Sequence, residues 1–187
     1  EVFDTVLCAF KMAEDKRVLL PVMVHLDGFH LSHMIEPILI EEQELVDKFL
    51  PANNYPLPLD PDKPVSMGTF APPVIYSEAR RSQEENLQAS KSVIKEVWKE
   101  FGDVFGRHYM PVESYRTEGA ETLLLTNGSF SQTAMSTIDK MRDEGKAVGL
   151  VRFRLWRPFP VEEFREAVKG AKNIVVLDRA YALGGQA

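Results

Sequence analysis

The sequence predicts an α/β protein, and three observations carry that prediction. From Thr122 to Leu177, apolar runs of strand length alternate with amphipathic stretches of helical period, in the order β-α-β-α-β. A helical stretch near the start of the chain is followed by a nearly continuous apolar run, Leu19 to Leu26. That run ends abruptly in Asp27, Gly28, His30, Ser32 and His33, and a polar cluster at a strand end is where α/β proteins build their sites. Consecutive parallel strands joined by right-handed helical crossovers give a small sheet covered on both faces.

Taken in order, Val2, Phe3, Val6, Leu7, Phe10 and Ala13 share one helical face, and Leu19 to Leu26 reads as a buried strand. One helix and one strand do not close a core. The expectation is that this unit ends a preceding domain and that both chain ends are cuts in a longer polypeptide. Pro37 to Ile40 is a short extended piece and Glu42 to Leu50 a brief helix. Pro51 to Pro73 holds seven of the twelve prolines, which exclude a helix interior or a central strand, so this is a linker or a segment laid over a partner.

Ser77 to Gly106 has the composition of one long helix, with Leu87, Ile94, Val97, Trp98, Phe101, Val104 and Phe105 as its apolar stripe. Lys91, Lys95 and Lys99 form a row at i+4 spacing, but Glu96 and Glu100 interleave with them, so a solvated face explains the row. Arg80 and Arg81 oppose the dipole near the helix start and invite a carboxylate partner. Thr122 to Thr126 is a buried-type strand, and Ser129 is placed to cap a helix over Gln132 to Glu144 that ends at Gly145. Val148 to Leu155 is the next strand, stopped by Pro158 and Pro160. A short helix over Val161 to Lys169 and a strand over Ile174 to Leu177 complete the pattern.

With 44% hydrophobic and 27% charged residues, the chain is of ordinary globular composition. A net charge of −6 supplies no footprint for nucleic acid or an anionic membrane, and neither is expected as a partner. Cys8 is the only cysteine, which excludes an intrachain disulfide and a four-thiolate metal site, and places the chain in the cytoplasm.

Motifs that carry chemistry are few. Strand, then Asn127-Gly128-Ser129, then helix has the form of a phosphate-binding turn, yet it lacks a Gly-x-Gly-x-x-Gly or Walker pattern, and capping alone explains it. His25, His30 and His33 lack a second pair of ligands at metal spacing, so no metal is expected. Ser32 beside His33 has no strained elbow around it and is not read as a triad. Asp178 and Arg179 end the last strand, where open sheets form crevices.

The ordered series Ala9-Phe10-Lys11-Met12-Ala13-Glu14-Asp15, Leu19-Leu20-Pro21-Val22-Met23-Val24, Asp27-Gly28-Phe29 and Leu31-Ser32-His33 resembles the α subunit of pyruvate:ferredoxin oxidoreductase and its 2-oxoacid:ferredoxin relatives. The resemblance continues through Val46-Asp47-Lys48-Phe49-Leu50-Pro51, Met67-Gly68 and Phe105-Gly106-Arg107. It ends with Leu155-Trp156-Arg157-Pro158-Phe159-Pro160 and Val176-Leu177-Asp178-Arg179. Ala180-Tyr181-Ala182 departs from the more polar family pattern.

The resemblance implies the end of a thiamine-diphosphate pyrimidine-type domain over residues 1–35 and a Pro-rich linker over 36–75. The long helix and a small parallel-sheet domain similar to the transketolase C-terminal domain then occupy 76–187. It also implies oxidative decarboxylation of a 2-oxoacid with coenzyme A, pyruvate being the favoured substrate, with electrons passing through iron–sulfur clusters to ferredoxin. Thiamine diphosphate and the clusters belong to the complete complex and none is expected in this stretch alone. No catalytic residue is assigned; Asp27, His30, Ser32, His33, Asp178 and Arg179 are candidates for an interface or for supporting a site. Two rival readings stand beside it: a subunit-assembly module, and a free-standing anion- or nucleotide-binding α/β protein.

Overall fold

A computed structural model describes residues 1–29, 31–52, 55–68 and 70–178. The chain divides into two compact units, Glu1–Val24 with Ile38–His108 and His25–Pro37 with Tyr109–Ala187.

The first unit is helical. Helix α1, Val2–Glu14, forms where the periodicity places it, but the face turned inward is Asp4, Cys8 and Met12, spaced at i, i+4 and i+8. The face expected inside is largely outside: Val2, Phe3, Val6 and Phe10 are all exposed. The inversion has a physical cause. Asp4 is tolerated in the interior because Arg107 donates to both its oxygens, from Nε at 2.8 Å and Nη2 at 2.9 Å. Arg107 Nη1 also lies 2.6 Å from Glu41 Oε1.

Helix α2, Gln43–Phe49, carries Phe49, which is wholly buried. Its ring meets those of Phe101 and Phe105 edge-on at 5.5 and 5.6 Å. Lys11 Nζ sits 4.4 Å above the same ring and donates to the Phe49 carbonyl and to Glu100, each at 2.6 Å. Helix α3, Pro73–Phe105, starts four residues earlier than composition suggested, because Pro73 at its first position needs no N–H partner and brings the right φ. Only its second half is packed, along Ser90, Val93, Ile94, Val97, Trp98, Phe101 and Gly102. Arg81 finds its carboxylate locally, on Glu85 at 2.9 Å, and Arg80 donates to Gln83. Lys99 pairs with Asp103 on a solvated face, as the charge pattern indicated.

Leu19 to Leu26 is not a strand: it runs without a ladder partner among the described residues, and Leu19 has φ +44°. Its apolar side chains Val22, Met23, Val24 and Leu26 are exposed, and so is His25. An apolar run becomes a strand only when another strand satisfies its backbone groups.

The second unit is built on a four-stranded sheet in the order β1-β3-β2-β4, where β1 is Val112–Tyr115, β2 Thr122–Asn127, β3 Val148–Phe153 and β4 Asn173–Val176. β2 runs parallel to both β3 and β4. The sheet is mixed rather than purely parallel, because β1 pairs antiparallel with β3, Val112 opposite Phe153. In the sequence β1 carries no strand signal, because Val-Glu-Ser-Tyr has too little apolar alternation.

Helix α4, Phe130–Asp143, joins β2 to β3, and helix α5, Val161–Ala167, joins β3 to β4. Since β3 and β4 flank β2 on opposite sides, right-handed crossovers put α4 and α5 on opposite faces. Leu123, Leu125, Val151 and Phe153 form the core on one face, against Phe164, Ala167 and Val168. Leu124, Thr126 and Leu150 alternate onto the other, which α4 covers with Ser131 and Ile138. Gly149 is required by contact: a Cβ there would lie 2.7 Å from the Arg116 carbonyl oxygen. The edge strand β4 is exposed along its whole length.

Candidate functional site

In the second unit the connections out of β2 and back past it create a switch point at the C-terminal end of β2, where open α/β sheets bind ligands. Asn127, Gly128 and Ser129 make the turn there into α4. Gly128 has φ +81°, and the position its Cβ would take lies 3.0 Å from Asp27 Oδ2. Both facts demand glycine: the backbone is left-handed, and a carboxylate approaches closely.

Asp27 is the occupant of this turn. The Ser129 N–H donates to Asp27 Oδ2 at 2.8 Å, and Ser129 Oγ donates to the same oxygen. A carboxylate at a helix N-terminus meets unpaired N–H groups and the positive end of the dipole. The sequence places Ser129 as a side-chain cap of this helix. Instead its hydroxyl goes to Asp27, and the first turn closes through Ser131 N–H to Gly128 O at 3.3 Å and Gln132 N–H to Ser129 O at 3.2 Å.

The residues after Asp27 form a turn of their own. Phe29 has φ +63°, its N–H donates to Ser32 Oγ at 2.9 Å, and His33 N–H donates to the Phe29 carbonyl at 3.0 Å. Ser32 Oγ lies 2.7 Å from His33 Nδ1, and the Phe29 and His33 rings stack at 5.4 Å. Ser32 and His33 therefore touch, where an extended loop would have pointed them apart. The serine oxygen is engaged in holding the turn.

Of the six residues singled out in the sequence, Asp27 is seated on the β2–α4 turn, and Ser32 pairs with His33. Asp178 is exposed just past β4. His30 and Arg179 lie outside the described residues. The structure adds two residues that the sequence did not flag. Thr126, the penultimate residue of β2, and Ser131, in the first turn of α4, are 3% and 0% exposed, and neither hydroxyl has a hydrogen-bond partner. Threonine in a strand and serine near a helix start are too common to stand out in a sequence. At the end of β3, Phe153 packs with Phe159 and Phe164 at 5.3 and 5.4 Å, and Pro158 and Pro160 are fully buried. The Leu155–Pro160 motif therefore closes that end of the hydrophobic core. Arg152 and Arg154 both reach Glu113, at 2.5 and 2.7 Å.

Residues 1–99 match the family described as pyruvate flavodoxin/ferredoxin oxidoreductase, thiamine-diphosphate-binding. The chain belongs to that family. Residues 120–187 match a second description, pyruvate:ferredoxin oxidoreductase core domain II. The subunit PorA of pyruvate synthase from Methanothermobacter thermautotrophicus is 46% identical over 99% of this chain and 49% of its own length. The Thermotoga maritima PorA is 42% identical over 100% of this chain and 48% of its own length. A ketoisovalerate oxidoreductase subunit, VorA of Pyrococcus horikoshii, is 40% identical over 98% and 47%. The chain thus spans about half the length of the curated relatives it matches.

In this oxidoreductase family member the bond from Ser129 to Asp27 joins one matched stretch to the other, since Asp27 lies in the first and Ser129 in the second. A seat for thiamine diphosphate in the first stretch needs polar groups free to meet a diphosphate. Its buried Asp4 and partly buried Glu41 are taken by Arg107, and its partly buried Lys11 by Phe49 and Glu100. These groups do not make an open polar set for a diphosphate. Among the described residues no three His, Cys, Asp or Glu side chains gather to hold a metal ion, and no helix is long and apolar enough to cross a membrane.

Proposed function

We propose that this chain is a stretch of the α subunit of a thiamine-dependent 2-oxoacid:ferredoxin oxidoreductase. The complete enzyme decarboxylates a 2-oxoacid oxidatively with coenzyme A and passes the electrons through iron–sulfur clusters to ferredoxin. Pyruvate is the substrate favoured, because relatives of 42–46% identity are named pyruvate synthase subunits and the ketoisovalerate relative stands at 40%. The observation that carries the reading is the order of the two family matches along one chain. Bound thiamine diphosphate supplies the carbanion chemistry in such an enzyme. This stretch supplies scaffold: residues 1–35 end a pyrimidine-type domain, 36–75 link, and 76–187 combine the long helix with a transketolase-C-like sheet domain. It binds no cofactor alone and works in the cytoplasm with the other subunits of the complex.

The test is to purify the complex containing the full-length chain. Coenzyme A-dependent reduction of ferredoxin by pyruvate, with thiamine diphosphate recovered from the protein, is expected. Absence of the cofactor, or turnover only with an unrelated substrate, would overturn the reading. The Asp27–Ser129 contact favours a second, compatible role at smaller scale, in which the loop from Asp27 to His33 docks on the sheet domain as an assembly element.

A further inference from the structure

We propose that the β2–α4 turn is an oxyanion seat for phosphate or a phosphate ester, closed in this structure by Asp27, and that the ligand enters by displacing that carboxylate. The seat already holds an oxyanion, because Asp27 Oδ2 takes the N–H and the hydroxyl of Ser129 beside Gly128. A single carboxylate oxygen receives both bonds. Two further donors remain unused.

Thr126 Oγ1 and Ser131 Oγ are buried without partners, an unfavourable state for a hydroxyl that has lost water. Thr126 is on the sheet face that α4 covers, at the last turn-ward position but one of β2. Ser131 shares the sheet-facing stripe of α4 with Ile138, seven residues on. The two residues thus flank the Asn127–Ser129 turn, one at the end of β2 and one in the first turn of α4. The Asp27 carboxylate does not satisfy them. A tetrahedral phosphate offers three terminal oxygens, enough for Ser129 and for both orphaned hydroxyls, at the positive end of a 14-residue helix. The displaced segment, His25–Pro37, would then leave the sheet domain, so ligand binding and docking of the loop exclude each other.

Hydrogen exchange read by mass spectrometry on the complex containing the full-length chain tests this, with inorganic phosphate and coenzyme A as separate probes. Phosphate is expected to slow exchange over residues 127–132 and to speed it over 25–37. Asp27→Ala, which removes the competing carboxylate, should tighten phosphate binding about tenfold, and Thr126→Val with Ser131→Ala should reverse that gain. Response to phosphate alone assigns the free anion, and response to coenzyme A at lower concentration assigns a phosphate ester. If neither probe protects 127–132 in wild type or in Asp27→Ala, or if binding ignores the loss of both hydroxyls, the seat does not exist. Neither outcome depends on which 2-oxoacid the enzyme uses.

Discussion

Cys8 shows how far a single residue's chemistry is set by its surroundings. It is wholly buried, and burial first, then the negative charge of Asp4, push its thiol up to about 12. A thiol raised that far holds no appreciable thiolate at pH 8, so a disulfide reagent should leave the folded protein untouched and modify Cys8 only after urea unfolding. Rapid modification of the folded protein would contradict the burial. The same surroundings explain Asp4, a carboxylate on the inward face of α1 that sequence periodicity assigned to the outside. No hydropathy scale places an aspartate in a core; a bidentate arginine 103 residues along the chain does.

At the scale of elements, the helices were legible, and so was the stripe of α3 at Ile94, Val97, Trp98 and Phe101, whereas the buried face of α1 was not. The five helices among the described residues lie within a few residues of where period, prolines and glycines put them, because those signals are local. Strands depend on neighbours. Leu19–Leu26 has the composition of a strand and no partner among the described residues, while β1 has a weak composition and a good partner in β3. The element that organises the first unit is the packed half of α3, where Phe101 is fully buried among Phe49, Phe105 and Arg107. Phe101→Ala should cost about 3–5 kcal/mol. A lowered urea midpoint for the helical unit, with little change at the sheet, is the expected result; equal loss at both would mean that the two units unfold as one.

At the scale of the whole molecule, the candidate site is a junction of distant stretches. The polar cluster after Leu26 and the Asn127-Gly128-Ser129 turn were each readable as a weak motif, one lacking a partner and the other lacking an anion. They answer one another across 102 residues. Asp27→Ala should leave the chain folded, judged by an unchanged far-ultraviolet spectrum, while lowering the yield of assembled complex or its turnover severalfold. Unchanged assembly and turnover would reduce the loop to a connector.

Membership in the oxidoreductase family was written in the sequence, because ordered short motifs survive in the residues themselves. Helix positions and the alternation of β2, α4, β3, α5 and β4 were equally local matters of period and turn chemistry. The tertiary structure alone decided which face of α1 is buried, that β1 joins the sheet antiparallel, and that a carboxylate occupies the switch point. Each of these depends on which groups far apart in the chain can satisfy one another once water is excluded, and a one-dimensional pattern does not contain that information.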